Sequence, residues 1–364
     1  MSLLLLAATP LSTSGAPRLL SMGPEGAARL LGGTGRAKLV WDLLRAGEDP
    51  FGAAGAAALP PKTHRALLAG LSASRPTVAA EHAAPCGTRK LLFALEAGDH
   101  VEAVVIPHGA GGFSTLCVSS QVGCRQACSF CATGTMGLRR SLTAEEINLQ
   151  VFEALRMIRE RGMPPLRNVV FMGMGEPLDN APAVQSSLQM LTHPFGFRLA
   201  KQHICVSTVG PSAEHIRQMT HMPARLAWSL HAADDELRKL LVPTTSSSML
   251  ELRDAFIEVL TARRDRGLMV ELTLIRGVND GETHAAQLCE LLDPLPGKTR
   301  VNLIPYNVNA GLGAAGTLFQ PSPTDAVRAF QRRVIEEGLI CTVRTTRGDQ
   351  EAAACGQLVT ARMR

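Results

Sequence analysis

Cys124–Gly134, which reads CRQACSFCATG, holds three of the chain's nine cysteines within eight positions. Cys124, Cys128 and Cys131 form the pattern Cys-x3-Cys-x2-Cys, and thiolates this close in sequence can converge on one metal centre. Structural zinc usually takes two close pairs of ligands, and no second pair occurs here; a redox pair would leave Cys124 without a role. Three thiolates on a four-iron cluster would leave one iron open to a substrate or cofactor. The pattern therefore favours a catalytic iron–sulfur site over the zinc and redox alternatives.

Apolar strand runs alternate with helical stretches on the carboxyl-terminal side of residue 110. Six runs predict strands: STLCVSS, NVVFMGM, HICVSTVG, RLAWSLHA, LMVELTLI and RVNLIPYN. The clearest helix between them is TAEEINLQVFEALRMIRER, which begins with a capping box formed by Thr143 and Glu146. Its apolar face carries Ile147, Val151, Leu155 and Ile158. Strands joined by helical crossovers predict a parallel sheet, either an open doubly wound sheet or a partial barrel.

Polar or glycine-rich tips follow most of these strand runs. They read GMGEP, STVG, SLHA, RGVND and PYN. In both candidate architectures, function gathers at the carboxyl ends of the parallel strands. These tips are therefore expected to lie together at the carboxyl ends of the parallel strands and to line one site there.

The rest of the chain suggests a division into four parts. We expect an N-terminal helical accessory domain, a connector with a β-hairpin around EAGDH, a catalytic core and a C-terminal extension that carries a cysteine. The expected boundaries are 1–75, 76–110, 111–340 and 341–364.

Composition limits the classes of partner. A hydrophobic content of 46% with 19% charged residues is typical of a soluble globular protein, and the formal charge of +5 permits a polyanionic partner without requiring one. Because the chain has only one tyrosine, two tryptophans and 11 phenylalanines, we do not expect a surface on which unpaired bases stack against aromatic rings. Contact with a nucleic acid would rest mainly on phosphates and RNA shape.

Cysteine usage and hydropathy predict the compartment. Nine unevenly spaced cysteines in a long chain indicate reduced thiols rather than a secreted disulfide framework. The opening MSLLLLAATP has no basic residue before its apolar run, which ends at Pro10, so it is a weak signal peptide. No stretch reaches the roughly 20 apolar residues of a membrane span. We therefore expect a cytoplasmic protein without membrane contact.

Several motifs together carry a family resemblance. Cys-x3-Cys-x2-Cys with Phe130 before its last cysteine resembles the radical S-adenosylmethionine (radical SAM) superfamily. More closely, CVSSQVGCRQACSFCATGTMGLRRSLTAEEI, FMGMGEPLDN, STVG, SLHA and AACGQL resemble the RlmN/Cfr family of RNA adenine methyltransferases. The match runs from about Arg89 to Leu358 and also touches the helical N-terminal part. It implies an α/β fold with a partial (βα)6 TIM-like barrel, the helical accessory domain and a cysteine-bearing tail.

The resemblance implies two cofactors and their ligands. Cys124, Cys128 and Cys131 would hold a [4Fe-4S] cluster, and S-adenosyl-L-methionine (SAM) would chelate its open iron. The family's SAM contacts correspond to Gly175, Glu176, Ser207, Ser229, Leu230, His231 and Asn307. Taken alone, a motif such as SLHA would more often simply terminate a strand.

The resemblance also implies a reaction that uses two SAM molecules per turnover. Cys355 would take a methyl group from the first SAM, and the second would be cleaved to a 5′-deoxyadenosyl radical that abstracts hydrogen from that methyl. The methylene radical would add to an electron-poor carbon of adenine, Glu102 would remove a proton, and Cys117 would form a disulfide with Cys355 to release the base. Strand alternation alone would make Glu102 a solvated residue on the outer face of the hairpin.

Other positions match no family role or depart from the family pattern. Ala352 stands where an acidic residue is usual, and Arg125 and Gln126 are more polar than is common between the first two cluster ligands. Four further cysteines are expected to be small buried hydrophobic residues: Cys86, Cys205, Cys289 and Cys341.

The RlmN branch of the family methylates C2 of an adenine in large-subunit (23S) ribosomal RNA and, in some members, in tRNA. Pro177 in GEPLDN favours that branch, while the Cfr branch, which methylates C8, is the alternative. A radical SAM enzyme on a non-RNA substrate, with Cys117 and Cys355 as a regulatory disulfide pair, and a non-catalytic RNA-binding protein are further alternatives. The expected partners are RNA and an electron donor such as flavodoxin or ferredoxin, and the expected state is a monomer.

Overall fold

The structure is a computed structural model that describes residues 18–73, 76–109, 112–308, 319–344 and 356–358. Cys355 and Ala352 lie outside the described residues. Within the described residues, no helix is both long and apolar enough to cross a membrane.

Four helices form the N-terminal part of the fold. They are α1 (Leu19–Leu31), α2 (Thr34–Arg45), α3 (Ala53–Ala58) and α4 (Pro61–Gly70). Trp41 of α2 is completely buried and meets the ring of Phe197 edge-on, with ring centroids 5.4 Å apart. Because Phe197 belongs to the main body of the protein, the helices share one hydrophobic core with it.

Across the described ranges of the chain, ten strands form the main sheet, and they lie side by side in chain order. Three antiparallel strands come first: β1 (Thr77–Ala83), β2 (Arg89–Ala94) and β3 (His100–His108). The strands that pair in parallel follow, and the first of them is also antiparallel to β3: β4 (Phe113–Cys117), β7 (Leu166–Phe171), β8 (Ile204–Thr208), β9 (Arg225–Ser229), β10 (Gly267–Leu274), β11 (Lys298–Pro305) and β12 (Ile340–Val343). A separate two-stranded sheet pairs β5 (Gln121–Gly123) with β6 (Leu138–Ser141).

The strand order decides between the two architectures that the sequence left open. A doubly wound sheet reverses its order at a switch point, but here the order β4-β7-β8-β9-β10-β11-β12 follows the chain without reversal. The sheet is therefore wound in one direction, as in the wall of a barrel. It stays open because β1 and β12 are its two edges. The expected partial barrel is confirmed, and each of the six predicted strand runs contains a parallel strand.

In the part of the chain that the structure describes, eight helices accompany the strands: α5 (Ala132–Thr135), α6 (Ala144–Glu160), α7 (Ala181–Thr192), α8 (Ala213–Arg217), α9 (Asp235–Leu241), α10 (Met249–Ala262), α11 (Glu282–Leu292) and α12 (Thr324–Glu336). The predicted capping box is present at the start of α6. The Glu146 backbone N–H donates to Thr143 Oγ1 over 3.2 Å, and the Thr143 N–H donates to Glu146 Oε2 over 2.9 Å. Such a box satisfies two backbone donors that a helix start would otherwise leave without partners.

Two of the four cysteines that were expected to be buried are not. Cys289 and Cys341 are buried as predicted, but Cys86 is exposed in the turn between β1 and β2. Its neighbours there are Pro85 and Gly87, and a tight turn of this kind leaves a small side chain no layer to pack against. Cys205 is only partly buried, because it lines a cavity at the amino ends of the parallel strands.

Candidate active site

A cavity of about 150 Å³ lies at the carboxyl ends of the parallel strands. Nine of the residues predicted for the site line it: Cys124, Cys128, Cys131, Gly175, Glu176, Ser207, Ser229, His231 and Asn307. The three cysteines come from the loop between β5 and β6, and the others follow β7, β8, β9 and β11 or end them. Residues far apart in sequence thus meet at one mouth, as the strand tips predicted.

Other predicted residues do not line this cavity. Leu230 is completely buried in the hydrophobic core, and its N–H donates to the carbonyl of Glu271 over 2.9 Å. Cys117, the last residue of β4, is also buried in that core. The described residues contain no disulfide, so the pairing of Cys117 with Cys355 stays a prediction.

Glu102 differs from the solvated residue that strand alternation suggested. It is 0% exposed in β3 and pairs with Lys90 Nζ over 3.3 Å. On one side the residue pairs with β2; on the other side pairing with β4 begins only at Val104, and at Glu102 the Ser119 Oγ donates to the backbone carbonyl over 2.6 Å instead. The backbone of Glu102 also holds the loop after β7, because its N–H lies 3.4 Å from Met174 Sδ. Glu102 thus lies behind the cavity wall rather than on its surface, and its role as a base stays a prediction.

The C-terminal tail returns to the cysteine loop. Gly356 lines the cavity, and its carbonyl accepts from the Ala132 N–H over 2.8 Å. Thr133 Oγ1 donates to the carbonyl of Leu358 over 2.7 Å. Gly356 is the sequence neighbour of Cys355, so the tail brings the region of the expected methyl acceptor back to the cysteine loop.

The polar residues of the cysteine loop have a partner in the loop after β7. Arg125 donates to Asp179 from Nε over 2.8 Å and from Nη2 over 2.5 Å, and Gln126 Nε2 donates to the same carboxylate over 2.7 Å. On its other side, Gln126 accepts through its backbone carbonyl from Thr244 Oγ1 over 3.2 Å. Arg125 and Gln126, which are unusually polar for their positions, thus hold the cysteine loop against Asp179. We call these contacts with Asp179 the clamp. Asp179 belongs to the motif FMGMGEPLDN, but no local sequence signal predicts its contact with the cysteine loop.

The donor set fits an iron–sulfur cluster. Among the described residues, no three histidine, cysteine or acidic side chains are grouped as they would be around a single metal ion. A four-iron cluster needs a wider arrangement, because each thiolate binds a different iron. Burial raises the pKa of the Cys124 thiol to about 12 and that of the Cys128 thiol well above its ordinary value. Loading a metal centre here would therefore release protons.

Two glycines allow the loop after β7 to lie directly against the loop after β4. Gly175 has a φ of +97°, and a Cβ there would lie 2.5 Å from Cβ of Gln121. A Cβ on Gly173 would lie 2.7 Å from the carbonyl oxygen of Val118, to which the Gly173 N–H donates over 3.0 Å. Only glycine meets both requirements, the left-handed backbone and the close approach.

Glu176 is buried and fixed at both carboxylate oxygens. Oε1 accepts from the Leu178 N–H over 2.9 Å, and Oε2 accepts from the Val209 N–H over 3.0 Å. Burial raises the pKa of this carboxyl to about 7, although the two backbone donors oppose the rise. A cationic ligand in the cavity would favour the ionised form, since opposite charges stabilise each other at low dielectric.

Hydroxyl and imidazole groups complete the carboxyl-end wall. Ser207 Oγ and Ser229 Oγ lie 3.0 Å apart on the adjacent strands β8 and β9. His231 has a φ of +59°, and its Nδ1 accepts from the Thr273 N–H over 3.1 Å. Burial lowers the pKa of this imidazole well below its ordinary value, with nearby Arg238 adding to the effect. His231 is therefore neutral and carries its proton on Nε2.

Arg238 is a buried cation behind this wall that sequence analysis missed. It is 2% exposed and donates to the carbonyls of Ser229, over 2.9 Å, of Leu230 and of Val209. Burial lowers the pKa of the guanidinium to about 10, while the nearby Cys128 and Glu176 act in the opposite direction. Arg238 thus fixes the ends of two strands and places a positive charge near a cysteine of the loop.

A sheet wound in one direction, with a loop of three cysteines at its carboxyl mouth, defines the class of radical SAM enzymes. The sequence pattern of the Radical SAM superfamily matches residues 118–289. The crystal structure of a radical SAM methyltransferase from Sphaerobacter thermophilus superposes with a TM-score of 0.82 at 34% identity, covering 94% of this chain and 99% of that one.

Curated relatives place the chain more narrowly. The dual-specificity RNA methyltransferase RlmN of Halorhodospira halophila is 42% identical over 287 residues, which is 78% of this chain and 76% of the relative. The protein of the same name from Alcanivorax borkumensis is 40% identical over 291 residues, 78% of this chain and 74% of that one. The chain belongs to the RlmN family.

Proposed function

We propose that the protein is a radical SAM RNA methyltransferase that methylates C2 of an adenine in 23S ribosomal RNA, with tRNA as a second substrate. The observation that carries the proposal is the shared cavity. Three partly buried thiols, the buried carboxyl of Glu176 and the hydroxyls of Ser207 and Ser229 line it together, and Gly356 of the C-terminal segment lies in the same wall. The names of the curated relatives, which specify an RNA methyltransferase, support the substrate class.

In this proposal, Cys124, Cys128 and Cys131 hold a [4Fe-4S] cluster, which supplies the electron that cleaves SAM when both are bound. The other residues bind and orient SAM. The ionised carboxylate of Glu176 accepts from the ammonium group, and the paired hydroxyls of Ser207 and Ser229 offer hydrogen bonds to the ribose. The neutral His231 packs edge-on against Phe130, with ring centroids 4.6 Å apart, and so narrows the cavity beside the cysteines. Asn307 lines the wall at the end of β11.

Cys355 takes its part in the reaction as a methyl acceptor. Its thiolate attacks the methyl carbon of one SAM, so that a bond forms between the Cys355 sulfur and that carbon while the methyl–sulfonium bond breaks and S-adenosylhomocysteine leaves. A hydrogen atom is removed from the S-methyl group by the 5′-deoxyadenosyl radical of a second SAM, and the methylene carbon bonds to the adenine carbon. Glu102 then takes the proton of that carbon, and one electron is given up. Finally the sulfur of Cys117 bonds to that of Cys355 while the bond between the Cys355 sulfur and the methylene carbon breaks, and this carbon takes up a proton to become the methyl group of the released base. Cys117 is buried at the end of β4, and this burial keeps the second thiol away from solvent. The N-terminal helices α1–α4 grip the RNA.

The test is anaerobic. The protein is reconstituted with iron and sulfide and supplied with SAM, unmodified 23S RNA or tRNA, and either a flavodoxin or a ferredoxin as the electron donor. The RNA is digested, and methyladenosines are identified by chromatography and mass spectrometry. We expect 2-methyladenosine. A yield of 8-methyladenosine would contradict the C2 assignment, and SAM cleavage without a methylated adenosine in either RNA would contradict the substrate.

Two variants separate the chemistry from the fold. Cys355→Ala should abolish RNA methylation while SAM cleavage continues. Cys86→Ala, which removes an exposed thiol from a turn remote from the cavity, should leave both unchanged. Full RNA methylation by the Cys355→Ala variant would contradict the assigned methyl acceptor.

A further inference from the structure

We propose that a second cavity, at the amino ends of the parallel strands, is an anion-binding site that takes a phosphate group. This cavity measures about 770 Å³ and is lined by the first residues of β4 and of β7 to β11. Its volume is within the range of small-molecule sites in proteins. None of its lining residues belongs to the cavity at the carboxyl mouth.

Positive side chains outnumber negative ones in the lining of this cavity. Four cationic side chains line it: Arg167, Arg225, Lys298 and Arg300. The acidic residue of the lining, Asp265, already accepts from Arg263 Nε and Nη2, both over 2.9 Å. Among the described residues, none of the four cations forms an ion pair. A concave surface that carries several positive side chains, without free acidic side chains to balance them, raises the local concentration of anions.

Strand register places two of these charges, those of Lys298 and Arg300, inside the barrel end rather than on its outer surface. Lys298 and Arg300 are two residues apart on β11, so they share a face with Ile304, which lines the carboxyl-mouth cavity. Between the two ends, Asn302 Nδ2 donates to Glu271 Oε1 over 3.2 Å. The two cavities are therefore opposite ends of one barrel interior, separated by a buried polar layer.

The floor of the cavity is already organised by hydrogen bonds. His203 Nδ1 donates to Asn168 Oδ1 over 3.0 Å, and Asn168 Nδ2 donates to Thr115 Oγ1 over 3.2 Å. Desolvation, together with the guanidinium groups of Arg167 and Arg225, lowers the pKa of His203. Arg167 and Arg225 line the same cavity as His203 and lie near enough to affect its charge. Guanidinium groups match the oxygens of a phosphate group better than an ammonium group does.

The experiment uses the full-length, cluster-loaded protein with saturating SAM, so that the carboxyl mouth is occupied. Pyrophosphate is titrated in by calorimetry. We expect saturable binding that the double variant Arg225→Gln/Arg300→Gln weakens by at least about tenfold. The matched control is Arg217→Gln/Arg328→Gln, which removes the same charge from two exposed helical positions outside the cavity. Circular dichroism checks that both double variants are folded, and the milder Lys298→Gln variant should weaken binding less.

A second experiment, with 23S RNA, determines whether the bound phosphate group belongs to RNA or to a small molecule. If pyrophosphate competes with the RNA, and the cavity variant lowers both the RNA affinity and its salt dependence, the phosphates are those of RNA. If pyrophosphate binds and RNA affinity is unchanged in the cavity variant, the ligand is a small phosphorylated molecule. The proposal is overturned if the wild type shows no saturable pyrophosphate binding, or if the control variant loses as much affinity as the cavity variant.

Discussion

Arg125 and Asp179 form a two-pronged ion pair between the loop of the three cysteines and the short helical turn Pro177–Asn180. The carboxylate of Asp179 is 2% exposed and also accepts from Gln126. Charge-assisted hydrogen bonds of this kind contribute more than neutral ones, and leaving one partner buried alone is costly. The pair therefore joins the cysteine loop to the motif that carries Glu176.

Asp179→Asn should loosen that loop. The asparagine keeps the shape of the side chain but removes the charge, so we expect the free energy of unfolding to fall by roughly 2 kcal/mol and the bound iron per chain to decrease. Urea unfolding and iron analysis after reconstitution measure the two effects. Asp254→Asn, at an exposed carboxylate whose ion-pair partner among the described residues is its neighbour Arg253, is the control. Equal iron content in both variants would show that the clamp does not position the cysteines.

Arg238 should act as a positioning residue for the carboxyl ends of β8 and β9. Arg238→Met removes the donors to three backbone carbonyls, so we expect a loss of about 3 kcal/mol of stability. The same change removes a positive charge near Cys128, so a cluster held there should become harder to reduce. A redox titration followed by electron paramagnetic resonance should show a more negative midpoint potential. Arg238→Lys should restore part of the potential but fewer of the hydrogen bonds, whereas a role in packing alone would leave the potential of both variants unchanged.

Gly175→Ala should damage the site through backbone strain and through a steric clash, and a control variant separates these two effects. The residue has a φ of +97°, and the new methyl group would meet Gln121 at 2.5 Å. We expect a destabilisation of roughly 3 kcal/mol and weaker SAM binding, measured by thermal unfolding and calorimetry. Gly338→Ala shares the positive φ, at +85°, but has no atom within 4 Å of the added Cβ. The control should cost only the backbone strain, and equal losses in both variants would argue against the close approach.

The buried carboxyl of Glu176 predicts a pH dependence. Its pKa is raised from 4.5 to about 7 by burial, so between these values the folded protein holds a proton that the unfolded chain has released. The contribution of this group to stability is therefore present at low pH and is lost as the pH rises through about 7. A shift of this size corresponds to roughly 3 kcal/mol.

Urea unfolding of the cluster-free protein at pH values across that window measures the effect. Glu176→Gln should flatten the curve, while Glu258→Gln, at an exposed carboxylate paired with Arg217, should not. SAM affinity should rise over the same pH window, since its ammonium group favours the ionised carboxylate. A Glu176→Gln curve as steep as that of the wild type would contradict the assignment.

The fold was largely predictable from sequence because apolar periodicity and strand tips are local signals. The strand β12 was missed because ICTV is a short run at the sheet edge with little apolar length. The burial of Glu102 could not be predicted, since alternation along a strand does not reveal that neighbouring strands and Met174 cover it. Arg238 and the four cations of the amino-end cavity carry no local signal, because only strand pairing brings them together.

The hydrogen bond between Thr133 and the carbonyl of Leu358 spans 225 positions of sequence. Closing a loop of that length costs chain entropy, and folding of the sheet between its ends first brings the two partners together. We therefore expect this contact in the wall of the cavity to form late in folding. The sheet is therefore expected to fold first, and the contacts between the cysteine loop and the C-terminal segment are expected to form afterwards.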